Sequence, residues 1–288
     1  MTVDEGTGQN GWWNDARPTA ELIEYALTEP DEDKAWEAVG ALQLRGTHEV
    51  FEAARELCAS ENADKRALGA DILGELGTPE RPFLEESVDI LLGLLADEQD
   101  PSVLHSIAVA LGQLQDPRGI GPLLKLTGHP DAVVREGVAS GLGGALRGAE
   151  GHRDDSAIRA LIELSGDKDV DVRDYATTAL ASESLADVRM PEINEALLRR
   201  TADEDAEVRG EALLGLGFRK DRRVVESLLR ELSGQVKDDY IRGLLLEAAY
   251  EIADAGLCPI LLKMKERGAK DDMLDKAIAA CKQYPNPR

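Results

Sequence analysis

The sequence predicts an all-α protein, a right-handed α-α superhelix of about eight stacked helical hairpins. Three observations lead there. A segment of the form Asp-x-x-Val-Arg, followed by an apolar helical pattern, recurs along the chain. Amphipathic helices of a second kind fill the intervals, and no period-two alternation runs long enough for a strand.

With the Arg set as position zero, the register runs through Ala35, Arg66, Leu104, Arg135, Arg173, Arg209, Arg242 and Met273, at intervals of 31, 38, 31, 38, 36, 33 and 31 residues. That spacing suits a two-helix solenoid repeat. The clearest copies are DAVVREGVASGLG (131–143), DVDVRDYATTALA (169–181) and DAEVRGEALLGLG (205–217). The intervening first helices include PRGIGPLLKLTG (117–128), SAIRALIELSG (156–166) and RRVVESLLRELSG (222–234). Pro79, Pro101, Pro117 and Pro130 each follow a turn or capping residue, where a missing amide donor costs little. Residues 1–18 read as a flexible or capping segment in which Trp12-Trp13 caps the first hairpin or serves as a binding tail. Residues 19–284 read as one solenoid, 285–288 as a tail, and RGAEGHRDD (147–155) as a long polar connector, solvated or used in recognition.

Helical geometry places the apolar positions −1, +3, +4 and +7 on the same face as the Arg. A buried guanidinium needs partners. Position −4 lies on that face too and is Asp31, Asn62, Asp100, Asp131, Asp169, Asp205 and Asp238 in the first seven copies, with Ala269 in the eighth. These residues are expected to cap their helices and to pair with the arginines in a ladder between repeats.

Residues 116–146 (DPRGIGPLLKLTGHPDAVVREGVASGLGGAL), with Asp116, Pro117, Pro122 and the Val134-Arg135 pair, resemble a full unit of the HEAT-like repeats found in phycobilin lyase subunits. The resemblance extends over roughly residues 19–284. It implies that the second helix of each pair lines a concave surface and that the atypical terminal copies act as caps. It also leaves a bilin lyase-like or chromophore-handling subunit as an alternative function, although no residue of the chain is singled out for that chemistry. HEAT-like folds host scaffolds, enzymes and inhibitors alike.

Composition narrows the choice. The formal net charge is −23, and residues 1–100 alone carry −17 of it. Such a surface repels a phosphate backbone and an anionic leaflet, so neither nucleic acid nor membrane is an expected partner. With 43% apolar but only 4% aromatic residues, the core is aliphatic. There is no stretch of 18 uncharged apolar residues and no basic-then-apolar leader, which points to a cytoplasmic protein. Cys58, Cys258 and Cys281 form no CxxC pair and are expected to be reduced thiols.

The face opposite the Arg takes positions +1, +2, +5 and +9. They bring Trp36, Glu37, Leu68, Asp71, Glu75, His105, Gln113, Glu136, Asp174, Tyr175, Glu211, Phe218, Leu244 and Glu247 onto one mixed acidic and apolar track. Large apolar groups on a solvent face mark an interaction surface, whereas a shifted register would pack them against the neighbouring hairpin instead. There is no GxSxG, no GxxxxGK[ST] and no HExxH motif, and His48, His105, His129 and His152 lack ligand spacing. His48-Glu49 is the one His-Glu dipeptide, whereas the HEAT-like iron hydroxylases rely on several. No catalytic residue, cofactor or metal is therefore expected. The leading expectation is a scaffold, or an inhibitor- or immunity-type binder of a basic protein.

Overall fold

The aspartates at position −4 start the second helices, as expected. The structure, a computed structural model, describes residues 15–148, 154–234, 236–269 and 271–283. In it Asp31, Asn62, Asp100, Asp169, Asp205 and Asp238 are N-caps whose side chains accept from amides two or three residues on. Asp131 accepts from the Val133 amide in the same way, at 3.1 Å. Trp12-Trp13, most of the 147–155 connector and the 285–288 tail lie outside the described residues.

Among the described residues there are sixteen α-helices and no strand. They fall into two compact units, residues 1–153 and 154–288. The first unit holds the hairpins α1 (Thr19–Thr28) with α2 (Glu32–Arg45), α3 (His48–Cys58) with α4 (Ala63–Glu75), α5 (Leu84–Asp97) with α6 (Pro101–Gln113), and α7 (Ile120–Leu124) with α8 (Ala132–Gly148). The second holds α9 (Asp155–Leu164) with α10 (Val170–Ala181), α11 (Pro191–Arg200) with α12 (Ala206–Phe218), α13 (Val225–Ser233) with α14 (Asp239–Ile252), and α15 (Cys258–Glu266) with α16 (Asp272–Gln283). Each second helix packs on its own first helix and on the second helices beside it: α2, α4, α6 and α8 form one layer, and α10, α12, α14 and α16 another. The core is aliphatic, with Leu42, Ile72, Leu111 and Leu142 in the first unit and Ile158, Leu161 and Leu180 in the second fully buried.

Glycine sets how closely the second helices approach. A Cβ on Gly144 would lie 2.2 Å from the Gly112 carbonyl oxygen, and one on Gly141 would lie 2.4 Å from that of Ala108. Both distances are below contact, so the α6–α8 pair closes only because these positions carry no side chain.

The ladder exists, but with different rungs from those expected. Arg135 and Arg173 are buried at 6% exposure. Arg66, Arg135, Arg173 and Arg209 each donate Nη1 to the carbonyls five and six residues back, in the turn before their own helix. The remaining edge of the guanidinium goes forward to an acid of the next hairpin: Arg66 to Glu98 at 2.6 and 3.0 Å, Arg173 to Asp203 at 3.0 and 3.0 Å, and Arg209 to Glu231 at 3.0 and 3.4 Å. The position −4 Asp is occupied by the helix amides and makes none of these bonds. Glu98 and Asp203 stand instead at −6, where they also accept the backbone N–H of the −4 residue. Ser60, His129 and Asp167 accept that same amide in their own repeats.

The cysteines correct a second expectation. Cys258 and Cys281 form a disulfide that joins the start of α15 to α16, with Cα atoms 5.8 Å apart, and Cys58 alone is a free, buried thiol. Cys258 and Cys281 lie on the two helices of one hairpin, so hairpin closure and not sequence proximity brings them together. The cysteine content thus gives no argument for a reducing compartment.

Two stability outcomes follow. Arg173→Ala, which leaves Asp203 at 3% side-chain exposure with Arg200 as its remaining cationic partner, should lower unfolding free energy by about 1.5–3 kcal/mol in urea titration. Reducing the disulfide, or Cys258→Ser, should cost about 3 kcal/mol for a closed loop of this length. Hydrogen exchange should locate that loss in α15 and α16, sparing α2 to α8.

Candidate functional site

A helix inside a layer has covered flanks, and this changes which positions meet solvent. Position +2 was expected to be exposed, yet Leu68, Glu211 and Leu244 are buried at 7%, 5% and 8%. The reason is lateral packing: Leu244 of α14 lies against Gly210 of α12, and the Tyr240 hydroxyl of α14 bonds Glu211. Trp36, Glu37, Glu75 and Tyr175 are exposed. Asp71, His105, Gln113, Glu136, Asp174, Phe218 and Glu247 are partly buried between the two extremes. The best-exposed row is position −2, which the sequence reading passed over. Asp33, Asp64, Ser102, Val133, Asp171, Glu207 and Tyr240 are all exposed there. The signal was available: two residues before the Arg is directly opposite the buried face on a helix of 3.6 residues per turn.

In the first unit this edge carries a groove of about 260 Å³, lined by Ala26, Leu27, Ala35, Trp36, Val39, Asp64, Ala67, Leu68 and Asp71. Trp36 is 57% exposed at its side. Burial pushes the Asp71 carboxyl up to about 6, against the opposing pull of the Ser106 hydroxyl and of His105. His105 Nδ1 lies 3.0 Å from the Val133 carbonyl, which fixes the ring across α6 and α8. Gln43 Nε2 donates to the Asp71 carbonyl at 2.8 Å, tying α2 to α4.

The second unit carries an acidic row on α10, α12 and α14. Burial, reinforced by Glu207 and Glu211, pushes Asp174 up to about 7, and its buried Oδ1 has no hydrogen-bond partner. Burial also raises Glu211, partly offset by the Tyr240 hydroxyl, which donates to its Oε1 at 2.6 Å; Glu207 and Glu247 raise it further. The bond to Glu211 in turn lifts the Tyr240 phenol above its ordinary range. Tyr175 and Tyr240 present 44% and 54% of their surface beside these carboxylates.

Asp71, Asp174 and Glu211 make no ion pair with any described residue. An arrangement of this kind attracts cations. It holds no nucleophile poised against a base, and burial raises the Cys58 thiol to about 12, far from a reactive thiolate. Among the described residues no cluster of three or more His, Cys, Asp or Glu has metal-binding geometry, and no helix is long and apolar enough to cross a membrane.

The raised carboxyls fix the sign of a pH effect. Asp71 and Asp174 ionise near 3.8 when exposed but near 6 and 7 in the fold. Stability from these sites is thus complete below the unfolded value and falls as pH rises through that window. Asp71→Asn with Asp174→Asn should raise the melting temperature relative to the parent at about pH 8, and the difference should vanish on approach to about pH 4.

Comparison with known proteins places this geometry in context. A sequence model of HEAT repeats matches residues 19–108, 88–181 and 158–249. Protein YibA of Escherichia coli K12 is 27% identical over 250 residues, covering 84% of this chain and 83% of YibA. The X-ray structure of YibA superposes with a TM-score of 0.67 at 24% identity, over 99% of this chain and all of that one. The CpcE–CpcF complex of phycocyanin lyase from Nostoc sp. PCC7120 gives a TM-score of 0.51 at 19% identity, over 98% and 99% of the two chains. Both structural likenesses are likenesses of fold.

Proposed function

Since the chain belongs to the HEAT-repeat family, whose fold hosts binding modules and enzymes alike, we propose that it is a non-catalytic protein-interaction module for a basic protein partner. The observation that carries this reading is the contrast between two sets of carboxylates. Two acids in the ladder are held low: the Arg66 guanidinium beside Glu98 keeps it below the usual carboxylate range. Asp203, although buried, is likewise held low by Arg173 and the Asp205 amide. Asp71 and Asp174, at the margin of the solvent edge, are raised and make no ion pair with any described residue. A cationic partner supplies what that edge lacks, and the exposed Trp36, Tyr175 and Tyr240 supply the rigid, amphipathic area typical of interface anchors.

The −17 carried by residues 1–100 makes the first unit the entry point. Charge of that density accelerates encounter with a cationic surface, and the acceleration fades as the Debye length falls from about 10 Å at 0.1 M salt to about 3 Å at 1 M. The partner-facing residues are then Trp36, Glu37, Asp64, Asp71 and Glu75 in the first unit, and Asp174, Tyr175, Glu207, Tyr240 and Glu247 in the second.

A fluorescein-labelled deca-arginine peptide measures this in stopped flow. Association should be fast at low salt and slow steeply with added salt. Glu37→Lys, Asp64→Lys and Glu75→Lys together, all at exposed positions, should cut the low-salt association rate by about tenfold or more. Absence of binding at low salt refutes the reading.

A further inference from the structure

The groove between α1, α2 and α4 has a shape and a chemistry that select one kind of side chain. Resting on the basic-partner reading, we propose that it is a socket for a single arginine side chain of the partner, with the aliphatic stem on the groove wall and the guanidinium at the carboxylates.

Asp64, Leu68 and Asp71 stand at i, i+4 and i+7 on α4, so they form one stripe along the groove floor. The carboxylates thus bracket an apolar centre, roughly 10 Å apart along the helix axis. Leu27 and Val39 complete the apolar wall and Trp36 closes one side. No Arg or Lys lines the cavity. A purely apolar guest would seal Asp71 away from water without a counter-charge, and an acidic guest would be repelled by both carboxylates. An arginine satisfies all three features: its methylenes cover Leu68, its fork bonds a carboxylate in two places, and its plane packs on an indole.

Asp71 is the end of the socket whose charge can change. The groups facing it are Trp36 and Gln43 from α2, Cys58 from α3, Asp64 on its own helix, and His105 and Ser106 from α6. None is an Arg or Lys. Arginine affinity should accordingly fall as pH drops through about 6 and Asp71 takes up a proton.

The test uses the full chain carrying Trp12→Phe and Trp13→Phe, which leaves Trp36 as the sole tryptophan. The expected result is a saturable change in Trp36 emission with acetyl-Ala-Arg-Ala-amide and none with the citrulline analogue. Asp71→Asn, which keeps the side chain's shape, and the exposed-site variant Asp64→Asn should each weaken binding by about tenfold or more; circular dichroism checks that both remain folded. Equal binding of the citrulline peptide, tighter binding of the lysine peptide, or indifference to both substitutions overturns the proposal. So does a shift of Trp36 emission when residues 1–14 are deleted, because the occupant is then the chain's own N-terminal segment. Deca-arginine binding by the parent chain together with failure of the arginine tripeptide to be told from its citrulline analogue removes the socket and leaves the basic-partner reading standing. Loss of deca-arginine binding by the parent chain removes both.

Discussion

The arginine at the start of α4, α10 and α12 (Arg66, Arg173 and Arg209) is the constraint on which the packing of successive hairpins depends. One guanidinium does two things. Its Nη1 closes the turn before its own helix by bonding carbonyls five and six residues back, and its other edge reaches forward to an acid of the next hairpin, as in Arg66–Glu98 and Arg173–Asp203. Local turn geometry and inter-repeat register are thereby fixed by the same side chain. A hairpin cannot rotate about its neighbour without breaking bonds that also hold its own loop. In an array whose stability is a sum of repeat and nearest-neighbour terms, that coupling makes these three interfaces specific as well as adhesive.

Close packing then follows from glycine. At the α6–α8 interface, where Leu104 stands in place of the arginine, Gly112, Gly141 and Gly144 let the helices approach until backbone meets backbone. The consequence for function is geometric. Second helices this tightly packed lose both flanks to their neighbours, so only a narrow edge of each remains open, and whatever the protein recognises must be recognised by that edge. The exposed side chains there come from position −2 and from isolated residues such as Trp36 and Tyr175.

Much of the fold could be read in the sequence because its signals are periodic: the capping aspartates, the helix starts and the hairpin count all repeat. What could not be read lies off the helical period or between helices. Glu98 and Asp203, two of the three ladder acids, stand in turns two residues before the caps, where no helical pattern marks them. Leu68, Glu211 and Leu244 were misplaced because a single-helix wheel has no neighbours, whereas the real helix has two. Tyr240 and Asp64 were passed over although the wheel itself puts them opposite the Arg. The Cys258–Cys281 bond joins residues 23 apart, a spacing that acquires meaning only once the hairpin is folded.

The charge of −23 divides along the same line. Several acids that cap helices or hold ladder arginines are depressed by the fold: Glu98 and Asp203 beside their arginines, and Asp221 to about 2 through Arg223 and Asn194. Edge acids behave in the opposite sense: the fold raises Asp71 and Asp174 and leaves an oxygen of Asp174 buried without a partner. Each such group costs stability where it stands. In a repeat array the cost stays local, borne by one hairpin and its neighbours while distant interfaces are untouched. A single-core domain would spread that cost through one cooperative unit. The repeat architecture can therefore keep uncompensated carboxylates beside exposed aromatics, and those are the residues whose chemistry a cationic partner completes.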